Sequence, residues 1–388
     1  MRKERMVRML NVRQWAVLIA ITILLGSSAA TSYPFSAKRW IIINAENNGD
    51  VAKEIVVQDG KEVLQLAKNH LALLDIKYTD FAIEFEVKGG EMPGIGFRSN
   101  DLLDFEYFYL RLANSGQKTA LQYFPGYNGA EAWEIYNYPK YEAAADFPQG
   151  DWVHVKMEVY RDNMRVFVNK ETSPNLQVKL QNTEQVDGKI FLKAAYKAAE
   201  FKNVKIRNVS ERFEVEETPS IATFLSKWKL SKQFEVNFNN QEELYARYIE
   251  QKSNEAWREI TADADGIVNL SKYYSHPKGV IIATSEVFSD KEQTVDLLFD
   301  YTFSMVVGFN REILFCGTEL DTHNFMRVMD GEEKLSLQLK KGRNEVIFII
   351  QADDVWQEAV HNPPYLGRKQ AANWGFIARL AHYDGIKL

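Results

Sequence analysis

The feature that most constrains the fold is an alternation of apolar and polar residues with a period of two. The segments 81–87 (FAIEFEV) and 153–159 (VHVKMEV) both follow it. This pattern is typical of antiparallel strands with one buried face, and long stretches of helical periodicity are scarce. Turn sequences such as Gly89-Gly90 and Asp187-Gly188 separate the strand-like runs. Many short strands at this spacing predict a β-sandwich or jelly roll.

The length of the chain predicts more than one domain. A chain of 388 residues is longer than one ordinary domain. We predict an all-β chain with two tandem β-sandwich (jelly-roll) domains after an N-terminal signal peptide. The predicted boundaries are 1–30 for the signal peptide, 36–209 for the first sandwich, 210–256 for a linker and ambiguous segment, and 257–388 for the second sandwich.

The N-terminus carries a targeting signal. A basic stretch precedes the largely apolar run 15–26 (WAVLIAITILLG), and the small residues Ser28 and Ala30 follow it. Twelve residues are too few to span a bilayer comfortably, but they suit the core of a signal peptide. We therefore predict cleavage near Ala30 and export to the periplasm, the cell surface or the medium. An uncleaved N-terminal anchor is the alternative.

Charge and cysteine content limit the partners and the compartment. The first thirty residues carry five basic residues and one acidic residue, so the remaining chain has a net charge near −10 instead of −6. Such a chain lacks the basic balance that nucleic acid requires, and we predict no membrane insertion of the mature chain. Cys316 is the only cysteine, so no disulfide can form within the chain. This favours a bacterial envelope or secreted protein.

The candidate ligand site lies in the segment 94–136. Strand alternation places Tyr107, Tyr109 and Arg111 on the face opposite to Phe108 and Leu110. Aromatic rings stack on the C–H patches of a sugar, while Arg and Gln reach its hydroxyls. The predicted ligand-binding residues of this domain are Arg98, Tyr107, Tyr109, Arg111, Gln122, Tyr127 and Trp133. The alternative is that the tyrosines form a second layer of packing beneath a loop.

Residues from about Trp40 to Val209 resemble the concanavalin A-like lectin/glucanase sandwich in its bacterial laminin-G-like form. The resemblance rests on the segments 96–98 (GFR), 107–111 (YFYLR), 122–123 (QY), 127–129 (YNG), 152–156 (WVHVK), 188–192 (GKIFL) and 200–204 (EFKNV). The chain is also similar in outline to an exported family of 3-keto-disaccharide hydrolases. That likeness implies glycoside hydrolysis as an alternative to binding. Hydrolysis requires carboxyl groups as acid or base, and among the available carboxylates Glu106 and Glu134 are the candidates.

The second half resembles the galactose-binding-like jelly roll found in many exported glycan-active proteins. The resemblance rests on the segments 279–285 (GVIIATS), 294–299, 304–310, 335–339, 341–344 (KGRN) and 374–376 (WGF). Trp356 follows Asp353-Asp354-Val355 in a predicted loop and is a candidate surface contact for a ligand. Trp374, beside Gly375, is more typical of a core residue.

No metal or cofactor is predicted, with calcium at a sandwich edge left open. The six histidines are scattered without metal-ligand spacing. Asp263 and Asp265 resemble the start of a calcium loop, but its last position would be Tyr274 instead of Glu, so a hairpin turn is the better interpretation. The leading hypothesis is a carbohydrate-binding protein without strong enzymatic activity, whose partner is a glycan or polysaccharide. The alternatives are a glycoside hydrolase and a structural module that docks another exported protein.

Overall fold

The structure is a computed structural model of the chain. It describes residues 30–44, 49–137, 139–184, 186–209, 211–216, 223–234, 243–246, 248, 257–274, 279–319, 327–352 and 374–388. Strands dominate these ranges, which confirms the predicted all-β fold class. Residues 1–29 lie outside them, so the signal peptide stays a prediction. No helix of the described residues is long and apolar enough to cross a membrane.

Seventeen of the described strands form the first sandwich. They are β1 (Thr31–Ser32), β2 (Trp40–Asn44), β3 (Gly49–Val51), β4 (Glu54–Gln58), β5 (Lys61–Leu66), β6 (His70–Tyr78), β7 (Phe81–Gly89), β8 (Met92–Ser99), β9 (Phe105–Leu110), β10 (Leu121–Tyr127), β11 (Ala130–Glu131), β12 (Glu142–Ala143), β13 (Val153–Tyr160), β14 (Asn163–Val168), β15 (Leu176–Lys179), β16 (Gly188–Ala195) and β17 (Ala199–Asn208). A 3₁₀ helix spans Leu112–Asn114.

Two sheets make up this sandwich. One has the order β15-β14-β13-β7-β17-β5-β4, with β1 beside β17. The other has the order β11-β10-β9-β8-β16-β6-β2-β3, with β12 beside β10. The alternating segments 81–87 and 153–159 lie in β7 and β13, which pair with each other. Their apolar residues face the second sheet, and the rings of Phe81 and Phe97 meet at 5.7 Å between centroids.

The second sandwich contains the remaining described strands. They are β18 (Lys227–Leu230), β19 (Arg258–Thr261), β20 (Ile267–Asn269), β21 (Gly279–Ser289), β22 (Gln293–Tyr301), β23 (Phe303–Phe309), β24 (Glu312–Glu319), β25 (Glu333–Leu339), β26 (Gly342–Ala352), β27 (Gly375–Leu380) and β28 (Ile386–Lys387). A 3₁₀ helix spans Leu270–Lys272. The sheets have the orders β19-β18-β21-β26-β23-β24, with β28 beside β21, and β20-β27-β22-β25.

The second core is built around aromatic residues. Trp228 packs against Phe348 and Phe376, with ring centroids 5.1 and 4.8 Å apart. Trp374 is fully buried in the same core, as its position beside Gly375 predicted. These contacts establish a second β-sandwich, whereas the galactose-binding-like resemblance stays a prediction.

The predicted linker 210–256 contains a strand of the second sandwich. Strand β18 pairs with β19 and β21, so this sandwich begins before residue 257. Strand β18 has only four residues, KWKL, which are too few for a period to be visible in the sequence. Trp228 and Leu230 nevertheless face the core, while the two lysines between and before them face outward.

Polar contacts join the two sandwiches. The hydroxyl of Tyr136 donates to the carboxylate of Asp263 at 2.6 Å, and Lys140 forms an ion pair with Asp265 at 2.6 Å. Further hydrogen bonds link Asn128 to Ser271 and Val328 to Glu134. The two carboxylates of the calcium-loop-like segment therefore bind the first sandwich. No group of three or more potential metal-ligating side chains occurs in the part of the chain that the structure describes.

Candidate functional site

Strand β9 divides its side chains between the two faces of its sheet. Phe108 and Leu110 are fully buried in the interior of the sandwich. Tyr107 and Tyr109 stand on the other side, where β8 has Gly94 and Gly96. A Cβ atom on Gly94 would collide with Tyr107, and one on Gly96 would collide with the ring of Phe191. The two glycines therefore let aromatic rings lie flat against the sheet.

These rings form one packed layer, which we call the tyrosine face. It consists of Tyr107, Tyr109, Phe124 and Phe191. Tyr107 stacks on Tyr109 with ring centroids 5.7 Å apart, and it lies 5.1 Å from Phe124 and 6.2 Å from Phe191. Neighbouring strands are close enough for such side chains to touch across the sheet. The strand alternation predicted this grouping of Tyr107 with Tyr109.

A buried ion pair borders one side of the tyrosine face. Lys193 on β16 pairs with Glu131 on β11, and its ammonium lies 5.2 Å from the centre of the Tyr107 ring. Lys193 is almost completely buried, so the ion pair and the ring together compensate for its lost hydration. Charged donors and acceptors thus stand directly beside the aromatic layer.

A chain of hydrogen bonds borders the other side. The hydroxyl of Tyr109 donates to Gln122, whose amide donates to Glu142. Burial raises the pKa of Tyr109, so its phenol stays protonated as a donor. Arg327 of the second sandwich binds both carboxylate oxygens of Glu142, at 2.6 and 3.0 Å. This bidentate pair connects the second sandwich to the site.

The pocket above the tyrosine face is small, with a volume of about 60 Å³. Tyr107 and Tyr109 line it but are only 3% and 4% exposed. Its more accessible residues are Arg111, Trp133 and Tyr196. The expectation that Tyr107 and Tyr109 form an open stacking platform is therefore wrong in its geometry. The two tyrosines form the floor of the pocket and belong to a second layer of packing. They are buried because bulky side chains on adjacent strands cover one another.

Trp133 is held at the rim of this pocket. The guanidinium of Arg327 lies 5.8 Å from the centre of the Trp133 indole ring, within the range of a cation–π contact. Arg111 follows β9 directly and lines the same pocket. The structure thus brings together five of the predicted ligand-binding residues, Tyr107, Tyr109, Arg111, Gln122 and Trp133. Gln122 does not line the pocket, and it is connected to the tyrosine face by its hydrogen bonds with Tyr109 and Glu142.

Arg98 does not belong to this group. Its backbone has a φ of 53°, and its guanidinium donates to the carbonyl of Arg161. The pairing of β8 with β16 changes register beside it, which is the mark of a β-bulge. Strand alternation placed Arg98 with Tyr107 because a sequence pattern does not reveal the extra residue of a bulge.

The two candidate acids also lie away from the pocket. Glu106 points into the sandwich, where it accepts hydrogen bonds from the hydroxyl of Tyr123 at 2.5 Å and the backbone N–H of Asn182 at 2.9 Å. Burial raises the pKa of Glu106 to about 7, against the opposing effect of these bonds and of Arg98. Glu134 is buried, and its carbonyl accepts from Val328. Neither carboxylate lines the pocket of the tyrosine face.

Tyr127 and Trp356 are the remaining predicted contacts. Tyr127 ends β10 at the junction of the two sandwiches, next to Lys272, and it lines a different cavity. Trp356 lies outside the described residues. Sequence reasoning missed Glu131, Lys193, Glu142 and Arg327. Alternation along β16 could have placed Lys193 beside Phe191, but nothing in the sequence relates Glu142 to Arg327, which are 185 residues apart.

One family model matches the chain. Residues 35–207, which make up the first sandwich, match the 3-keto-alpha-glucoside-1,2-lyase-like domain. The match agrees with the similarity to 3-keto-disaccharide hydrolases noted from the sequence. A comparison with curated protein sequences finds no match.

Three solved structures are similar to part of the chain. The carbohydrate-binding module CBM66 from Bacillus subtilis has 15% identity and a TM-score of 0.33, and the match covers 40% of this chain and 92% of that module. A putative glycosyl hydrolase from Parabacteroides distasonis has 17% identity, coverages of 44% and 89%, and a TM-score of 0.31. The β-glucanase of Bacillus licheniformis has 11% identity, coverages of 47% and 99%, and a TM-score of 0.34.

Proposed function

We propose that this chain is an exported carbohydrate-binding protein and that a glycan binds at the rim of the tyrosine face. The observation that carries the proposal is the position of Trp133 and Arg111 at the mouth of one pocket, above a layer of packed rings. The match of residues 35–207 to a domain family named for a glucoside supports a carbohydrate-related function.

The rim offers the chemistry that a sugar requires. The indole of Trp133 supplies an apolar plane for the C–H face of a pyranose, and the guanidinium of Arg111 supplies donors for its hydroxyls. The ion pair of Lys193 with Glu131 lies at the same pocket and adds a donor and an acceptor. A pocket of about 60 Å³ has room for about two water molecules. We therefore infer that a glycan contacts the rim and inserts only one substituent.

Binding fits this site better than hydrolysis does. Glycosidic cleavage uses two carboxyl groups on opposite sides of the bond. At the tyrosine face, Glu131 is paired with Lys193 and Glu142 with Arg327. Both carboxylates are therefore committed to ion pairs, while Glu106 and Glu134 lie away from the pocket.

The family match favours cleavage of a 3-keto glycoside as the second candidate function. Its test is the release of free sugar from a 3-keto-disaccharide by the purified protein. Release that a Glu131→Gln variant loses would identify an enzyme that uses this pocket. Absence of release from the folded wild-type protein would contradict this second candidate function.

The direct test of binding is a glycan array screened with the chain from Thr31 to Leu388, with and without calcium. We expect retention of one glycan class and loss of that retention in Trp133→Ala and Arg111→Ala. Loss of binding on removal of calcium would add a metal to the site. Tyr383→Ala is the matched control, because Tyr383 is an exposed aromatic residue of the second sandwich.

The thermal transition of each variant must be recorded beside its binding. Unchanged retention by a folded Trp133→Ala protein would place the glycan site elsewhere. A blank array from a well-folded wild-type protein would contradict the proposal and favour a module that docks another exported protein. Pull-down from an envelope extract would then identify that partner.

A further inference from the structure

A second and larger cavity lies where the two sandwiches meet, and we call it the interdomain cleft. Its volume is about 860 Å³, and it is lined by Tyr127 and Asn182 of the first sandwich and Lys272 and Tyr273 of the second, among others. Ligand pockets have volumes of roughly 300–1,000 Å³. The interdomain cleft therefore has room for several sugar rings, unlike the pocket above the tyrosine face.

Hydrogen bonds fix both walls of the interdomain cleft. In the first sandwich, the backbone N–H groups of Gln181 and Asn182 bind Tyr123 and Glu106, both at 2.9 Å. In the second sandwich, Lys272 binds Asp263 at 3.0 Å. Across the junction, the side-chain amide of Asn128 donates to the carbonyl of Ser271 at 2.7 Å. The cleft is thus preformed, which lowers the entropic cost of binding.

The hydroxyl of Tyr127 is evidence that the interdomain cleft binds a ligand. Tyr127 is only 6% exposed, and among the described residues its hydroxyl has no hydrogen-bond partner. Burial, reinforced by the carboxylates of Glu106 and Asp263, raises the pKa of Tyr127, so the group is a neutral phenol. A buried phenol normally has a hydrogen-bond partner. A hydroxyl group of a ligand in the interdomain cleft would supply one.

The charged residues that line the interdomain cleft indicate which class of ligand it can bind. Four carboxylates and two cations line the cleft, namely Asp104, Glu184, Asp187, Glu259, Arg258 and Lys272. This balance disfavours phosphate and acidic polysaccharides because like charges repel. Side-chain amides and the ring of Tyr273 also line the cleft. Amides, hydroxyls and an aromatic plane together are the groups that recognise a neutral, hydroxyl-rich molecule.

We propose that the interdomain cleft is a second binding site, specific for a neutral oligosaccharide that contacts Tyr127 of the first sandwich and Tyr273 of the second. The site is separate from the tyrosine face and does not depend on it. A glycan held here contacts both sandwiches at once, so binding stabilises their relative arrangement.

The test is isothermal titration of the purified protein with three neutral trisaccharides, namely maltotriose, cellotriose and laminaritriose, and with trigalacturonic acid as the acidic comparison. We expect at least one neutral trisaccharide to bind and the acidic one not to bind. The variant Tyr127→Phe removes one oxygen atom and keeps the ring, so the fold is retained. We expect it to weaken binding about tenfold, the effect of one hydrogen bond.

The variant Trp133→Ala separates this proposal from the proposed function. Binding that is weakened by Tyr127→Phe and kept in Trp133→Ala supports the interdomain cleft, whatever happens at the tyrosine face. Binding that Trp133→Ala abolishes and Tyr127→Phe leaves unchanged overturns the cleft proposal and supports the other site. Binding of trigalacturonic acid alone, or of none of the four sugars, also overturns it.

Discussion

The tyrosine face and the interdomain cleft differ in how completely they are filled. The tyrosine face has four aromatic residues in mutual contact and a pocket of about 60 Å³. The interdomain cleft is lined mainly by polar residues and has a volume of about 860 Å³. The richer set of aromatic residues thus provides less space for a ligand. Aromatic content indicates packing first, and open volume must be sought separately.

The difference follows from how each region is assembled. Strands in a sheet lie about 4.8 Å apart, so large side chains on neighbouring strands fill the space between them. The two sandwiches meet through polar contacts, such as Tyr136 with Asp263, and through apolar residues of the second sandwich, such as Ile267 and Ile377, that pack against the core of the first. These contacts do not fill the whole junction, and a cleft remains beside them. Polar residues line that cleft because water can reach them.

The largest expected effect tests the packing of the tyrosine face. We expect Tyr107→Ala to lower the free energy of unfolding by about 3–5 kcal/mol, the usual loss for a buried aromatic side chain. Tyr107 and Tyr109 are almost completely buried, which agrees with the alternative that the tyrosines form a second layer of packing. Urea unfolding is the measurement.

Tyr196→Ala is the matched control, because Tyr196 lines the same pocket but is 46% exposed. We expect its effect to stay within about 0.5 kcal/mol. Equal effects of the two substitutions would mean that the tyrosine face is open to solvent and would remove the contrast with the interdomain cleft.

The second largest effect is expected on the pH dependence of stability, and it comes from Glu106. This residue lies beneath the interdomain cleft, where its carboxyl group accepts a hydrogen bond from the backbone N–H of Asn182. Burial raises the pKa of Glu106 to about 7, so the folded protein keeps this proton at a pH where the unfolded chain has released it. Stability is therefore highest below the unfolded pKa near 4.5 and falls as the pH rises towards about 7. The decline from this one group is on the order of 3 kcal/mol.

We expect Glu106→Gln to lose most of this decline between pH 5 and pH 8, measured by urea unfolding at both pH values. Glu54→Gln removes the same charge from the exposed strand β4 and should keep the wild-type decline. An unchanged pH dependence in Glu106→Gln would show that Glu106 is ionised in the folded protein across this range.

A smaller effect is expected where the sandwiches touch. Tyr136→Phe removes the hydrogen bond to the carboxylate of Asp263 and should lower the free energy of unfolding by about 2 kcal/mol. Differential scanning calorimetry should also show less cooperative unfolding of the two sandwiches. Tyr383→Phe, at an exposed position, should behave as wild type. A neutral Tyr136→Phe would mean that the sandwiches do not rely on this contact.

The smallest effect is expected from the ion pair of Lys140 with Asp265, which is partly exposed. We expect Lys140→Met to cost about 0.5–1 kcal/mol at low salt, and less at 1 M salt because ions screen exposed charges. A loss that does not depend on salt would indicate that packing, not charge, holds this part of the junction.

Local sequence patterns predicted the all-β fold class, the strands β7 and β13, and the grouping of Tyr107 with Tyr109. These depend on local alternation, because successive side chains of a strand point to opposite faces. The burial of Trp374 was also predicted correctly from its neighbours. Each of these features requires only a few adjacent residues.

The residues that surround the tyrosine face and the position of the open space depend on how the sheets and the two sandwiches are arranged. A bulge at Arg98 interrupted the alternation, and Arg327 reached Glu142 from the other sandwich. Tyr127 proved to line the interdomain cleft instead of the tyrosine face. Contacts between distant residues and the volume between two packed bodies depend on the arrangement of whole sheets, and no local period in the sequence encodes that arrangement.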